Sequence, residues 1–326
     1  MRPPIAVAVV SWNTRELLRA CLDSLKPDVD GGLASVWVVD NGSRDGSPDL
    51  VEREFGWAHL LAPGANLGFG PAVNLVAEHT DAPWIAPSNA DVEAEPGALG
   101  AMLAAGEGDP RVAAVAPRLV MPDGRTQHSV HPFPTLPLGL AFNLGLQRVV
   151  PGLGDRLCLE GYWDPARPRS VDWAHGAFLL VRRRAFDGVG GFDPRQWLYA
   201  EDLDLAWRLD AAGWRVRYEP DAVVRHVVGA AAAQAFADDR DARHVAAAYA
   251  WIARRQGVAA ARAYAALNVG GALGRGLALA ILSPLGPERL RSRRERLRRY
   301  AFLHRAGLRR RSALLDMSQG GPAPLR

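Results

Sequence analysis

The stretch that decides the fold lies at residues 5–25 and reads IAVAVVSWNTRELLRACLDSL. Its first seven residues, up to Ser11, are apolar or small and form the pattern of a short buried strand. Asn13 and Thr14 then supply side chains that can cap a helix. The apolar residues that follow recur at helical spacing: Leu17, Leu18, Cys21, Leu22 and Leu25. A buried strand followed by such a helix predicts the first unit of an α/β protein.

The same alternation continues through the first half of the chain, which predicts a mainly parallel central sheet. We expect strands at 36–40, 60–62, 84–87, 112–120, 171–181 and 215–218, and helices at 48–55, 71–78, 96–105 and 199–212. A long connection at 121–169 contains Pro, Gly and His, and its length makes it a candidate functional loop. From residue 230 onward the chain is rich in Ala and Arg and is expected to be helical.

The bulk composition is that of an ordinary globular protein. The chain has 326 residues, of which 48% are hydrophobic and 23% charged, which argues against a disordered, collagen-like or multi-span membrane protein. Its two cysteines, Cys21 and Cys158, cannot form a zinc motif or a dense disulfide framework. The N-terminus leads into a strand without a signal-like apolar region. We therefore expect a cytoplasmic protein.

The positive charge is concentrated near the end of the chain. Residues 289–311 contain eleven arginines and one acid, Glu295. Subtracting this +10 from the net charge of +4 leaves −6 elsewhere, so nucleic acid is not the expected partner. The arginines indicate either a solvated helix or an element that binds an anionic membrane surface. We expect a catalytic domain at 1–235 and a helical, Arg-rich extension at 236–326.

Residues 263–285 are apolar, but Asn268, Arg275 and several glycines interrupt them, which disfavours a membrane-spanning helix. An interfacial helix followed by the arginine cluster would suit peripheral attachment to the inner face of the cell membrane.

Acidic residues follow two of the predicted strands, where open α/β sheets bind ligands. Asp40 ends the second strand, and its carboxylate could accept hydrogen bonds from a nucleobase or ribose, although a strand-ending Asp is also a common turn former. Asn89-Ala90-Asp91 ends the fourth strand. A carboxylate there could hold Mg²⁺ or Mn²⁺ bridging two phosphates.

Three carboxylates start the predicted helix at 199–212: Glu201, Asp202 and Asp204. Helix capping explains one or two of them, because the helix dipole favours anions at this end. Glu201 and Asp204 share a helix face, whereas Asp202 points elsewhere and could act as a general base. His226 is either a structural histidine or part of a metal or diphosphate site.

The segment Asn66-Leu67-Gly68-Phe69-Gly70 permits close approach of backbone to a phosphate or sugar. The first strand is not followed by a Gly-x-Gly-x-x-Gly or Walker-type loop, which counts against dinucleotide oxidoreductases and P-loop kinases.

Taken in order, these motifs resemble glycosyltransferase family 2, the inverting group with the Rossmann-like GT-A nucleotide-diphospho-sugar transferase fold, and especially its rhamnosyltransferase-like members. The resemblance covers roughly residues 5–229. Its motifs are Val10 to Asn13, Val38 to Ser47, Asn66 to Gly70, Asn89 to Asp91, His175 to Ala177, Gly190 to Asp193, Tyr199 to Asp204, and Arg225-His226.

The resemblance implies a role for each matching residue. Asp202 would be the catalytic base, and Asp91 and His226 would belong to the metal site. The residues implied near the nucleotide or donor are Ser11, Asn13, Asp40, Asn41, Asn66, Gly68 and Asn89. Those implied near the acceptor or donor sugar are Trp173, His175, Gly176 and Glu201. The family usually has an acid where Asn89 stands, or the sequence Asn-Pro-Asp.

The implied activity is the inverting, non-processive transfer of one sugar from a nucleotide-sugar donor to a hydroxyl of a glycan or lipid-linked acceptor of the cell envelope. Rhamnose from dTDP-rhamnose is the preferred donor, while UDP- and GDP-sugars and the oligomeric state stay open. The processive motif Gln-x-x-Arg-Trp does not occur in the sequence. The alternatives are a nucleotidyltransferase and a catalytically degenerate scaffold with the same fold.

Overall fold

The computed structural model describes residues 2–227, 240–282 and 287–316. Its strands are β1 (Ile5–Ser11), β2 (Ala34–Asp40), β3 (His59–Leu61), β4 (Trp84–Asn89), β5 (Val92–Ala94), β6 (Val112–Val120), β7 (Val130–His131), β8 (Arg169–Val171), β9 (Trp173–Ala174), β10 (Leu180–Arg182) and β11 (Arg215–His226).

The first nine helices are α1 (Arg15–Asp30), α2 (Ser47–Glu54), α3 (Phe69–His79), α4 (Ala98–Glu107), α5 (Leu136–Asn143), α6 (Leu146–Val149), α7 (Leu153–Arg156), α8 (Arg183–Gly188) and α9 (Glu201–Ala211). The C-terminal helices are α10 (Arg240–Arg255), α11 (Val258–Leu282), α12 (Pro287–His304), a 3₁₀ turn (Arg305–Leu308) and α13 (Arg311–Asp316).

The main sheet has nine strands, in the order β3-β2-β1-β4-β10-β6-β11-β5, with β8 paired to β11. The pairs β1–β2, β1–β4, β2–β3 and β6–β11 are parallel. Strand β10 is antiparallel to both β4 and β6. The expected α/β fold with a mainly parallel sheet is therefore confirmed, and it is a mixed sheet.

The prediction of one strand at 171–181 was wrong. The structure has three short strands there, of which β8 and β10 join the main sheet while β9 pairs with β7 in a separate two-stranded sheet. Apolar residues run through this region, but they pack against different neighbours. Periodicity alone could not show where the pairing changes.

Both faces of the sheet are buried, which explains the continuous apolar runs of its strands. Successive residues of β1 enter opposite cores. Val7 and Val9 pack with residues of α1, α2 and α4. Ala8 packs on the other side with residues of α3, α9 and α10.

The connection at 121–169 is more structured than expected. It contains β7 and three short helices, and two of these, α6 and α7, begin after glycines in the left-handed conformation, Gly145 (φ 72°) and Gly152 (φ 72°). Glycine adopts this conformation without the steric cost of a Cβ atom. A Pro/Gly-rich segment can therefore fold as a chain of single helical turns.

The C-terminal region is helical in its described parts, as expected. The segment Val258–Ile281 of α11 is long and apolar enough to cross a membrane by length and composition, and 17% of its apolar window is buried. Helix α11 packs against α12 and α5. The expected domain boundary at 235/236 lies outside the described residues.

Candidate active site

The ends of β1 and β2 form one wall of the candidate site. Ser11 and Asp40 are direct neighbours in the parallel pairing, and both are buried. Asp40 Oδ2 accepts hydrogen bonds from the backbone N–H groups of Gly42 (3.1 Å) and Ser43 (3.0 Å). Asp40 Oδ1 is buried without a hydrogen-bond partner among the described residues. This atom is available to a donor on a ligand, because a buried carboxylate oxygen without a partner is costly.

Asn13 holds this wall in shape. Its backbone is left-handed (φ 53°). Its N–H donates to Ser43 Oγ (2.9 Å), and its Oδ1 accepts from the Arg44 N–H (2.7 Å). Asn13 therefore joins the turn after β1 to the turn after β2.

Asn41 connects this wall to the glycine loop before α3. Its Nδ2 donates to the Gly68 carbonyl oxygen (3.2 Å), and its Oδ1 accepts from the Leu67 N–H (3.3 Å). Asn66 Oδ1 accepts from the Gly68 N–H (2.9 Å). Both polar ends of the Asn41 side chain thus shape the loop, so its predicted contact with the nucleotide would need to come from the backbone.

Gly68 is required by its surroundings. Its φ is 85°, and a Cβ atom there would lie 2.4 Å from the Trp197 carbonyl oxygen. The glycine loop therefore touches the segment that leads into α9.

Asp91 and His226 meet because β5 pairs with β11. His226 is opposite Val92 in the antiparallel register, and the Val227 N–H donates to the Asp91 carbonyl oxygen (2.9 Å). His226 Nε2 lies 3.4 Å from Asp91 Oδ1. Both side chains are buried. A register shift in β11 between Glu219 and Val223 separates this end of the strand from its beginning.

The Asp91–His226 pair can serve as part of a metal site. His226 Nδ1 lies 2.8 Å from Gln127 Oε1, so Nδ1 carries the proton in the neutral ring and Nε2 carries a lone pair. Nε2 is buried with no hydrogen-bond partner among the described residues. No group of three or more His, Cys, Asp or Glu side chains in the described ranges is placed to hold a metal. Two protein donors nevertheless suit Mg²⁺ or Mn²⁺, which take the remaining ligands from water and substrate phosphates.

The start of α9 is a strained turn. Tyr199 (φ 63°) and Ala200 (φ 61°) are consecutive non-glycine residues in the left-handed region. Such strain costs of order 1–3 kcal/mol per residue and concentrates at functional sites. Asp202 is the second residue after this turn, and its Oδ2 accepts from the Gly176 N–H (2.9 Å) while its Oδ1 accepts from the Leu203 N–H (2.7 Å).

The carboxyl groups of Glu201 and Asp202 differ in how readily they ionise. Burial, and then the charge of Asp202, raise the pKa of Glu201 to about 8. Burial also raises the pKa of Asp202, but two backbone N–H donors stabilise its anion. Glu201 Oε2 has no partner within the described parts of the chain. Asp202 is therefore the carboxyl of the pair that ionises first.

Asp204 faces away from this site. Its Oδ1 accepts from Trp251 Nε1 (3.1 Å) and Arg255 Nε (2.6 Å), and its Oδ2 accepts from Arg208 Nε (2.8 Å). The carboxylate thus joins α9 to α10. The shared face of Glu201 and Asp204 suggested by their spacing does not give them a shared function.

A cluster of rings lies beside Asp202. His175 Nε2 is 3.0 Å from His131 Nε2, and Trp173 stacks on His131 with ring centroids 4.6 Å apart. Burial lowers the pKa of His175 to about 3 and the pKa of His131 well below its ordinary value. Both rings are therefore neutral near pH 7.

Gln127, His128 and His131 were missed as site residues. They lie in the connection at 121–169, and its histidines were the available signal. Pairing of β7 with β9 brings His131 to the site, and that pairing could not be read from periodicity.

The predicted site residues form one continuous set of contacts. Asp40 neighbours the Asn41–Gly68 loop, and Gly68 touches Trp197 at the entrance to α9. Asp202 binds Gly176, and the next residue, Ala177, accepts a hydrogen bond from the Asn89 N–H (2.9 Å) beside Asp91. The structure brings these acidic segments to one edge of the sheet, where parallel strands place ligands.

Comparisons with known proteins give matches to glycosyltransferases. Residues 6–155 match the model of "Glycosyl transferase family 2", and residues 166–247 match "Glycosyltransferase like family 2". The chain is 35% identical over 241 residues to the N-acetylglucosaminyl-diphospho-decaprenol L-rhamnosyltransferase of Mycobacterium tuberculosis, covering 69% of this chain and 76% of the relative. A shorter match of 50 residues, 50% identical, is to the rhamnosyltransferase WbbL of Escherichia coli and covers 15% of this chain and 19% of that protein.

Two solved structures share the fold. One is the mannosyltransferase PcManGT from Pyrobaculum calidifontis in complex with GDP-Man and Mn²⁺, with a TM-score of 0.58, 20% identity, and coverage of 97% of this chain and 87% of that one. The other is GalNAc-T7 with UDP, GalNAc and Mn²⁺, with a TM-score of 0.52, 13% identity, and coverage of 75% and 50%. The expected GT-A fold is confirmed.

Proposed function

The chain belongs to glycosyl transferase family 2 and is a glycosyltransferase, and from this premise we propose that it moves one sugar, with inversion, from a nucleotide-sugar donor to a hydroxyl group. The observation that carries the proposal is the set of contacts joining Asp40, the Asp91–His226 pair and Asp202 at one sheet edge. Such a transfer needs one group that binds the nucleotide, one that binds the diphosphate, and a base that takes the proton of the acceptor hydroxyl.

The proposed reaction is a single displacement. The acceptor oxygen attacks the anomeric carbon, and the bond from that carbon to the diphosphate breaks with its electron pair leaving on the diphosphate oxygen. The acceptor proton passes to the Asp202 carboxylate, which the Gly176 and Leu203 N–H groups hold in place. General base catalysis of this kind contributes typically about 10²–10⁴-fold in rate.

Asp91 and His226 would hold Mg²⁺ or Mn²⁺. When bound, the cation would supply positive charge to the departing diphosphate. His226 Nε2 lies 3.4 Å from Asp91 Oδ1 and makes no hydrogen bond within the described ranges, which supports this assignment. Asn89 contributes no second carboxylate, so the phosphates would complete the coordination.

The proposed donor is dTDP-rhamnose and the proposed acceptor is a lipid-linked glycan. Support comes from the relative in Mycobacterium tuberculosis, whose name describes rhamnosyl transfer to a decaprenol-linked N-acetylglucosamine. Asp40 Oδ1 could accept from a thymine or uracil imide, so UDP-sugars are the alternative that the assay must separate. Transfer of a single sugar is also part of the proposal.

We further propose peripheral association with an anionic membrane surface. Leu273, Leu277 and Ile281 are exposed at four-residue spacing on α11, the last two by 63% and 71%. Exposed arginines follow on α12: Arg291, Arg293, Arg294, Arg296, Arg298 and Arg299. Basic residues near an anionic surface contribute about 1 kcal/mol each. The double substitution Leu277→Ser, Ile281→Ser should reduce sedimentation with phosphatidylglycerol vesicles at low salt, whereas the control Tyr162→Ser should not. Equal binding by the parent chain, the double variant and the control would show that this surface does not bind the membrane.

Asp202→Asn tests the enzymatic proposal. We expect turnover with dTDP-rhamnose and an N-acetylglucosamine acceptor linked to polyprenyl diphosphate to fall by about 10²-fold or more, with nucleotide binding retained. Asp210→Asn, on the exposed end of the same helix, is the matched control. NMR of the product's anomeric configuration tests inversion. Near-normal turnover in Asp202→Asn would remove Asp202 from the role of base.

Binding measurements identify the donor independently of turnover. A ligand at 100 times its dissociation constant stabilises the folded state by about 2.7 kcal/mol. Thermal unfolding with dTDP-, UDP- and GDP-sugars, with and without Mn²⁺, should single out the donor. Stabilisation by none of them would contradict the proposed function.

A further inference from the structure

Gln127 lies behind the Asp91–His226 pair and is anchored by the main sheet. Its backbone N–H donates to the Leu119 carbonyl oxygen at the end of β6 (2.8 Å). Its side chain extends between two histidines: Oε1 is 2.8 Å from His226 Nδ1, and Nε2 is 3.5 Å from His175 Nδ1.

An amide side chain has one accepting end and one donating end. With Oε1 toward His226, Nδ1 must carry the proton, and the neutral ring then presents its lone pair at Nε2. The reversed amide would move the proton to Nε2, where it would point toward Asp91 and occupy the position of a cation. The orientation of Gln127 therefore decides whether His226 can be a metal ligand.

The hydrogen bonds continue from Gln127 into the ring cluster in the same donor-to-acceptor direction. Gln127 Nε2 donates toward His175 Nδ1, so the remaining ring proton of His175 lies on Nε2 and faces His131 Nε2 at 3.0 Å. Burial lowers the pKa of both His175 and His131, so each ring carries one proton. With the amide in this orientation, each contact in the row from His226 to His131 has a donor facing an acceptor.

We propose that Gln127 is a positioning residue that fixes His226 in the Nδ1–H form, so that its Nε2 and the Asp91 carboxylate together can bind a divalent cation. The inference rests on the metal site of the proposed function. It adds a residue, taken from the connection at 121–169, that touches neither the sugar nor the cation. Mutation of a group that orients a metal-binding histidine in this way typically lowers metal affinity by about 10–100-fold.

Two substitutions distinguish the contribution of the amide oxygen from that of the amide nitrogen. Gln127→Leu removes both hydrogen bonds, and we expect Mn²⁺ affinity, measured by electron paramagnetic resonance with dTDP present, to fall by about 10-fold or more. Gln127→Glu keeps an oxygen for the His226 N–H and should keep Mn²⁺ affinity close to that of the parent chain. Gln147→Leu, a partly buried glutamine in α6, is the matched control.

Nitrogen NMR of the metal-free protein, labelled at histidine, gives a readout that does not depend on activity. The His226 signal, assigned with a His226→Gln sample, should report Nδ1–H in the parent chain and in Gln127→Glu. It should report loss of that single form in Gln127→Leu. Circular dichroism checks that each variant is folded.

The outcomes separate this inference from the proposed function. An Nε2–H form in the parent chain, or unchanged tautomer and Mn²⁺ affinity in Gln127→Leu, overturns the role of Gln127. If the parent chain bound no Mn²⁺ at all, the proposed metal site would fail, while the NMR comparison would still show whether Gln127 sets the His226 tautomer.

Discussion

The Asp204 carboxylate gives the sharpest stability prediction. It is buried and accepts hydrogen bonds from Trp251, Arg208 and Arg255, with Arg255 Nη2 adding a contact to Oδ2 at 3.0 Å. Asp204→Asn keeps the side-chain size but removes the charge. Removing one partner of a buried ion pair costs about 3–5 kcal/mol.

The magnitude should lie at the lower end of that range, because both arginines keep another partner. Arg255 Nη2 also binds Asp193 Oδ2 (2.9 Å), and the Arg255 side chain is 23% exposed. Arg208 Nη1 donates to the Val189 carbonyl oxygen (2.6 Å). We therefore expect a loss of about 3 kcal/mol in the free energy of unfolding, which is large beside a typical total of about 5–15 kcal/mol.

Urea denaturation followed by tryptophan fluorescence and circular dichroism measures this loss. Asp187→Asn is the control, since its ion pair with Arg183 is exposed and should contribute about 0–0.5 kcal/mol. If Asp204→Asn were no less stable than Asp187→Asn, the carboxylate would not be the main polar link between α9 and α10, and the reasoning would be refuted.

Two further predictions concern the site itself. Gly68→Ala should weaken nucleotide binding, measured by calorimetry, and destabilise the fold, because its Cβ would meet Trp197. Gly64→Ala is the control: its φ is 77° and no atom of the described residues lies within 4 Å of the added Cβ, so it should cost only the roughly 1–2 kcal/mol of a left-handed backbone. Equal effects of the two substitutions would contradict the contact with Trp197. Glu201 has a folded pKa of about 8 against about 4.3 when unfolded, so the folded state holds the extra proton. Its contribution to stability is full below the unfolded pKa and is lost as pH rises through about 8. Glu201→Gln should therefore reduce the pH dependence of the free energy of unfolding, measured by urea titrations at several pH values. An unchanged pH dependence would mean that other groups cause it.

The elements with strong periodicity were predictable from the sequence. Strand β1 and the expected strand at 112–120 have the bounds that their apolar runs indicate. Helix α9 begins two residues later than expected, at Glu201, because Tyr199 and Ala200 are left-handed rather than helical. Residue type alone does not reveal such a turn, since neither residue is a glycine or an asparagine.

The site was predictable where its residues end strands. Asp40 and Asp91 follow buried strands that run in parallel, so their common edge followed from the fold class. The pairing of Asp91 with His226 depends on β5, three residues long, which has too few residues to show a period. Gln127 carries no sequence signal of its own, because its role comes from two histidines that are distant along the chain.

The irregular segment between Glu219 and Val223 lets the two halves of β11 follow different registers. The first half pairs with β6 and β8, and the second half pairs with β6 and β5, which sets His226 opposite Val92. The shift between the halves is that of a β-bulge, which bends a strand and changes the direction of the side chains beyond it. The imidazole therefore reaches the Asp91 carboxylate from a part of the strand whose register is offset from that of its beginning.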